Sequence, residues 1–288
     1  MENKNVMIFG GDSFTWGEGL ELYLDNPFWI NERNNLNGWV ELEPKQTSES
    51  IEFRESNRFA GIVSDKFNCN QITLDYNGGG FDKPAELITN NLDKNPKAIV
   101  YQFTIFDRML LHFDESCSCE FCNSKYGNVR PLMLYLDCMN KQLQNIPITE
   151  KDMFFLNWLE KYENIPFIEM TKTTYIEDIV EMFMNMFKRN LDVFVDKHLS
   201  KWLETTNVYL IDSWDGLTSG ILSEHPILQK YLIPLKGYDG KYYKQWSEWE
   251  NTFPYSRIQY EFPNTENGHP TLIQHQYLAE SIIEQIEK

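Results

Sequence analysis

Four short apolar runs, each closed off by polar or glycine-containing turns, constrain this chain more than any other feature. They are Val6–Phe9, Ile72–Tyr76, Ala98–Phe103 and Val208–Ile211. Runs of that length bounded by turn residues read as strands. The stretches between them carry helical spacing. Arg58–Phe67 presents Phe59, Ile62, Val63 and Phe67 near a helical period, and Pro84–Leu92 opens on a proline, which suits a first helical turn. Tyr175–Leu203 is the longest such segment, with Ile176, Ile179, Val180, Phe183, Met184, Met186 and Phe187 on one broad apolar face. Leu272–Ile286 reads as a closing amphipathic helix. Strand alternating with helix predicts an α/β fold: a mainly parallel sheet covered on both faces, hence a three-layer α/β/α sandwich.

The length of 288 residues suits one large domain or two small ones, and a composition 42% hydrophobic and 15% aromatic can fill a core. We read 1–288 as a single domain. Residues 20–55, rich in Asn, Glu and aromatics with little periodicity, read as an inserted loop or small subelement. Residues 108–203 read as a helical, cysteine-containing insertion, expected to cap one end of the sheet. A net charge of −17, with no local basic patch, disfavours nucleic acid and an anionic membrane surface as partners. No run of about 18 apolar residues could span a membrane. The opening Met-Glu-Asn-Lys-Asn leads straight into a strand, unlike a signal peptide, so the expected compartment is the cytoplasm or a particle such as a virion. Oligomeric state stays open.

Chemistry concentrates at the two ends. In Phe9-Gly10-Gly11-Asp12-Ser13-Phe14 a strand ends, paired glycines allow a tight reversal, and a helix follows. That places the Ser13 hydroxyl at the carboxyl end of a parallel strand, where open α/β sheets bind ligands. Asp12 and Ser13 would also serve simply as helix caps. Near the other end, Glu266-Asn267-Gly268-His269-Pro270 precedes the last helix. A serine nucleophile needs a base, and the base an orienting group; one turn of chain could present both.

With these two blocks in place, the chain resembles the SGNH hydrolases, also called the GDSL esterase/lipase family. Gly11-Asp12-Ser13 matches the nucleophile block, and Glu266-Asn267-Gly268-His269-Pro270 matches the C-terminal acid-x-x-His block with Glu in place of Asp. Gln274-His275-Gln276-Tyr277-Leu278-Ala279-Glu280 looks like the Gly-His-x-x-Leu-Ala-Glu run that often follows it, with Gln where Gly is common. The resemblance implies a flavodoxin-like sheet and a triad of Ser13, His269 and Glu266, with Asn267 a second candidate to orient the histidine. It implies an oxyanion hole from the N–H groups of Ser13 and of Gly78 or Gly79, in the glycine run after the second strand. The family's third block commonly supplies an Asn donor, but Phe106 stands there. Thr104 or Arg108 would have to substitute, a pattern similar to divergent members in bacteriophage genomes. Loss of one such donor costs about 10²–10³ in rate. The implied function is therefore a serine ester hydrolase, an esterase or deacetylase acting on a small-molecule or O-acetylated carbohydrate ester without a catalytic cofactor. The alternative is a non-catalytic binding or structural protein on the same fold.

Three features remain. Cys117, Cys119 and Cys122 have a compact ligand spacing, with His112 or Cys138 as a fourth donor for structural zinc; the other reading is reduced thiols in a surface loop. Five cysteines in a chain without an export signal argue against disulfides, and Cys69 reads as a small core residue. Tyr238, Tyr242, Tyr243, Trp246 and Trp249 read either as a packed loop or as a platform for stacking sugar rings. Among other histidines, His225 is a rival base in a second acid-His-Pro run, while His198 and His275 read as solvated helix residues.

Overall fold

The computed structural model describes residues 5–35, 46–75, 80–111, 127–168, 175–263, 265 and 267–288. Strands β1 (Val6–Gly11), β2 (Asn70–Asp75), β3 (Ala98–Gln102) and β6 (Asn207–Ile211) form one parallel sheet in the order β2-β1-β3-β6. Two short antiparallel hairpins, β4 (Met109–Leu111) with β5 (Gly127–Val129) and β7 (Leu235–Lys236) with β8 (Tyr242–Tyr243), lie outside it. The helices are α1 (Ser13–Trp16), α2 (Pro27–Asn35), α3 (Ser48–Asn57), α4 (Phe59–Lys66), α5 (Asp82–Thr89), α6 (Pro131–Leu143) and α7 (Glu150–Trp158). Then follow α8 (Ile176–Phe194), α9 (Ser200–Thr205), α10 (Gly216–Glu224), α11 (Trp246–Glu250), α12 (Ile258–Glu261) and α13 (Leu272–Ile286).

Alternation along the strands divides the core. Ile8, Ile99, Tyr101, Val208 and Leu210 face one way and join Ala85 and Ile88 of α5 and Phe183, Phe187 and Leu191 of α8. Met7, Phe9, Val100 and Ile211 face the other way and join Phe59 and Val63 of α4 and Leu278 and Ile282 of α13. The result is the expected α/β/α sandwich. β1 lies inside the sheet, with β2 on one side and β3 on the other, so the connections diverge at its carboxyl end. That divergence opens a crevice where ligands characteristically bind.

The two insertions take definite form. In the described part of residues 108–203, α8 buries Ile179, Phe183, Met186, Phe187, Leu191 and Phe194 at helical spacing in the first core face, and its Phe194 meets Tyr101 and Phe103 at the carboxyl end of β3. A π-turn at Val195–Leu199 joins α8 to α9, so the long helical segment continues to Thr205. Of the two readings of residues 20–55, the described part bears out the small subelement: a 3₁₀ turn (Leu20–Tyr23), α2 and α3 form a small cluster around the fully buried Trp29. Within it the buried Arg54 pairs with the buried Glu21 and lies 3.6 Å over the Trp16 ring.

The aromatic stretch is also corrected in part. Trp246 and Trp249 are fully buried in the second core face, their indole N–H groups donating to Glu250 and to the Lys236 carbonyl. Their rings are core, not a stacking platform. Tyr238 and Tyr242 remain exposed, with the Tyr242 hydroxyl hydrogen-bonded to Glu284.

Candidate active site

β1 runs without a break into the turn that carries Ser13. A Cβ on Gly10 would sit 2.5 Å from Ile88 Cδ1, and one on Gly11 only 2.2 Å from Thr15 Oγ1, so both positions need the missing side chain. Asp12 caps α1, its Oδ1 accepting from the Phe14 amide at 3.0 Å, and Gly17 ends the turn at φ +80°. The capping role foreseen for Asp12 is therefore real. Its Oδ2 also accepts from Trp214 Nε1 at 3.4 Å and faces Arg108 at 3.8 Å.

Ser13 Oγ lies 2.8 Å from His269 Nε2, with both residues buried. The loop holding His269 is tied to α12: Ile258 N–H donates to the His269 carbonyl and Gln259 N–H to the Asn267 carbonyl. Asn267 Oδ1 accepts from the His269 backbone N–H at 3.0 Å, which identifies that atom as the amide oxygen. The same oxygen lies 2.9 Å from His269 Nδ1, so Nδ1 carries the proton and Nε2 presents its lone pair to the Ser13 hydroxyl. Burial, followed by Arg257, His275 and Arg108, holds the imidazole pKa down at about 3, keeping it neutral over the physiological range. The Phe14 ring meets it edge-on at 5.2 Å. Chemically, this is a serine hydroxyl hydrogen-bonded to a neutral imidazole.

Glu266 lies outside the described residues, as do Gly78, Gly79, His112, Cys117, Cys119 and Cys122. Cys138 is buried in the helical layer, and burial pushes its thiol up to about 11, the behaviour of a small core residue. Among the described residues, no group of three or more His, Cys, Asp or Glu side chains could hold a metal. Phe106 points into the core beside Phe187 while its N–H donates to Thr218. Thr104 is 2% exposed, and its hydroxyl has no hydrogen-bond partner among the described residues.

His225 is engaged elsewhere, 3.3 Å from Asp192 and accepting at Nδ1 from the Ile227 and Leu228 amides. His275 is not on the surface: it is fully buried, stacks on Phe59, and burial lowers its pKa to about 3. His198 is likewise part-buried against Thr89, with its pKa lowered to about 4 mainly by burial. Both corrections arise because the interior faces of α13 and the π-turn are wider than the apolar residues alone suggest.

Two site residues escape sequence reasoning. Glu18 Oε2 lies 3.3 Å from His269 Nε2. Gln102, at the end of β3, accepts from Thr15 Oγ1 at 2.9 Å and steadies the serine turn. The available signal for Glu18 was its place between two glycines, Gly17 and Gly19, both with positive φ.

No family model matches the chain, and no curated protein matches it. Among solved structures it is similar to a carbohydrate esterase whose active site displays divergent catalytic and non-catalytic binding functions. That likeness has 11% identity and a TM-score of 0.39, covering 100% of this chain and 70% of that one. It is also similar to a putative lipolytic protein of the G-D-S-L family from Desulfitobacterium hafniense, at 9% identity and a TM-score of 0.36, covering 97% and 98% of the two chains. A third likeness is to an acetyl xylan esterase from Butyrivibrio proteoclasticus, at 10% identity and a TM-score of 0.32, covering 98% of this chain and 63% of that one. In its three-layer fold and in pairing a Gly-Asp-Ser serine with a C-terminal histidine, the chain resembles the SGNH hydrolases.

Proposed function

We propose that the chain is a serine ester hydrolase. One observation carries the reading: the 2.8 Å hydrogen bond between Ser13 Oγ and the unprotonated Nε2 of His269. Ser13 Oγ attacks the ester carbonyl carbon as its proton passes to Nε2. His269 then returns that proton to the leaving alcohol, and water repeats the sequence to free the acid and regenerate Ser13. Asn267 orients the imidazole. The backbone N–H of Ser13, with Gly78 or Gly79 and the Thr104 hydroxyl, holds the oxyanion. O-acetylated carbohydrates are the first natural substrate class to assay.

The test is hydrolysis of p-nitrophenyl acetate by the wild type beside Ser13→Ala and His269→Ala. We expect turnover in the wild type and a loss of about 10³-fold or more in each variant. Equal background rates in all three, with no fluorophosphonate labelling of Ser13, would overturn the enzyme reading. They would favour instead a binding protein on the same fold, a reading to which the Phe106 ring, turned into the core where a donor is expected, already lends weight.

A further inference from the structure

His269 has an unusual arrangement of partners. The atom that orients its Nδ1–H belongs to an amide, Asn267 Oδ1, which bears no charge. A carboxylate stands instead at the opposite edge of the ring, Glu18 Oε2, 3.3 Å from the Nε2 that receives the serine proton. The Glu18 side chain is only 9% exposed. An ionised carboxylate so shut off from water is tolerated where positive charge or hydrogen bonding compensates it.

The backbone puts it there deliberately. After α1 the chain turns at Gly17 (φ +80°) and Gly19 (φ +92°), and the Glu18 N–H between them donates to the Ser13 carbonyl at 3.1 Å. A Cβ on Gly19 would stand 2.7 Å from Asn267 Nδ2, so the turn lies directly against the histidine loop. From the other side Arg58 Nη1 donates to the Trp16 carbonyl, and Arg54 stacks on the Trp16 ring. Residue 18 is thus held between the nucleophile and its base by contacts on both sides.

We propose that Glu18 is the carboxylate of this catalytic centre, balancing at Nε2 the positive charge that His269 gains on taking the Ser13 proton. The inference rests on the ester-hydrolase reading. In the resting site the Nε2 lone pair accepts the Ser13 hydroxyl. When the Oγ–H bond breaks and the Oγ–carbonyl bond forms, the proton becomes Nε2–H and the ring becomes cationic, with Glu18 beside the new N–H. The proton then leaves with the alcohol, and the imidazole returns to neutral. Glu18 takes no proton in the cycle; its contribution is charge, which Asn267 cannot supply. Arg257 and Arg108 both oppose a cationic His269, so a compensating anion has a large effect in this buried setting.

The test is p-nitrophenyl acetate hydrolysis by full-length wild type, Glu18→Gln, Glu18→Asp, and Glu18→Gln combined with Asn267→Asp. For Glu18→Gln we expect kcat to fall about 100-fold with KM within about twofold, since the charge matters only after proton transfer. Glu18→Asp should recover part of the loss. Asn267→Asp, which puts a carboxylate at Nδ1, should restore at least about 10-fold to the Glu18→Gln enzyme, a rescue that a merely structural role for Glu18 would not show. Glu18→Gln turnover within twofold of the wild type would overturn the proposal and leave the esterase reading standing. So would a Glu18→Gln loss, or failure to fold, that Asn267→Asp does not relieve. Wild-type protein without Ser13-dependent turnover would instead overturn the esterase reading, and this proposal with it.

Discussion

Asn267 Oδ1 takes two hydrogen bonds from one residue, the backbone and the ring N–H of His269, and that double grip sets the tautomer on which the proposed chemistry depends. The grip in turn depends on Gly19, whose missing side chain lets the α1 turn lie against Asn267. Gly19→Ala would need a Cβ 2.7 Å from Asn267 Nδ2 at a backbone φ of +92°, which a side-chain-bearing residue adopts only with strain. We expect about 1–3 kcal/mol of lost stability in urea denaturation, and an esterase rate reduced about 10-fold or more as His269 shifts. An unchanged rate in folded protein would show that the Asn267–His269 pair does not depend on this close approach. Residue identity alone announced the serine and histidine. It could not show that the neighbour holding Nδ1 is Asn267, because that depends on how the 267–269 turn is wound.

Between the site loop and the last helix, Thr271 closes a capping box: its hydroxyl accepts from the Gln274 amide, and Gln274 Oε1 accepts from the Thr271 amide. α13 then buries Leu278, Ala279 and Ile282 against α4 and the sheet. The cap satisfies N–H groups that helix geometry leaves unpaired, and it fixes where the chain leaves Pro270. Thr271→Ala should cost about 1 kcal/mol in urea denaturation, a loss that Thr271→Ser should largely recover. Element by element, the four strands and the four helices that periodicity marks were legible within a residue or two at most ends, since their periodicity and turn residues are local properties, while α2, α3, α6 and α7 were not bounded. The roles of the elements were less so. α8 reads as an amphipathic helix, but only the contacts of its Phe194 with Tyr101 and Phe103 show that it meets the carboxyl end of β3.

At the scale of the molecule, burial has made three imidazoles among the described residues hard to protonate: His269 and His275 at about 3 and His198 at about 4. A group whose folded pKa lies below its unfolded value of about 6.5 binds protons preferentially in the unfolded chain. Its contribution is complete above pH 6.5 and is lost as the pH falls towards the folded pKa. Asp212, which burial raises to about 6, pulls the other way over the range between about 4 and 6, as do Glu21, Asp107 and Glu250 in direction. The histidine component can be isolated with His275→Gln, which removes the titration. Between pH 7 and pH 5 the wild type should lose about 2 kcal/mol more unfolding free energy than this variant. Parallel losses in urea titrations at the two pH values would show that His275 does not titrate as a buried neutral group. The same buried position could not be read from the chain, where Gln274-His275-Gln276 has the polarity of a solvated helix face.

What the sequence by itself determined is the part governed by short-range rules: parallel strands alternating with amphipathic helices, a glycine-relieved turn carrying Ser13 after the first strand, and a histidine loop before the last helix. Those follow from steric allowance and from hydrophobic periodicity, which act over a few residues. Only the tertiary structure decided that Ser13 and His269 meet at 2.8 Å, that Trp246 and Trp249 are core, and that Glu18 stands at Nε2. Each of those depends on distances between segments that the sheet order brings together from opposite ends of the chain. Burial and charge at such a meeting point are set by what packs around it, and local composition carries no record of that.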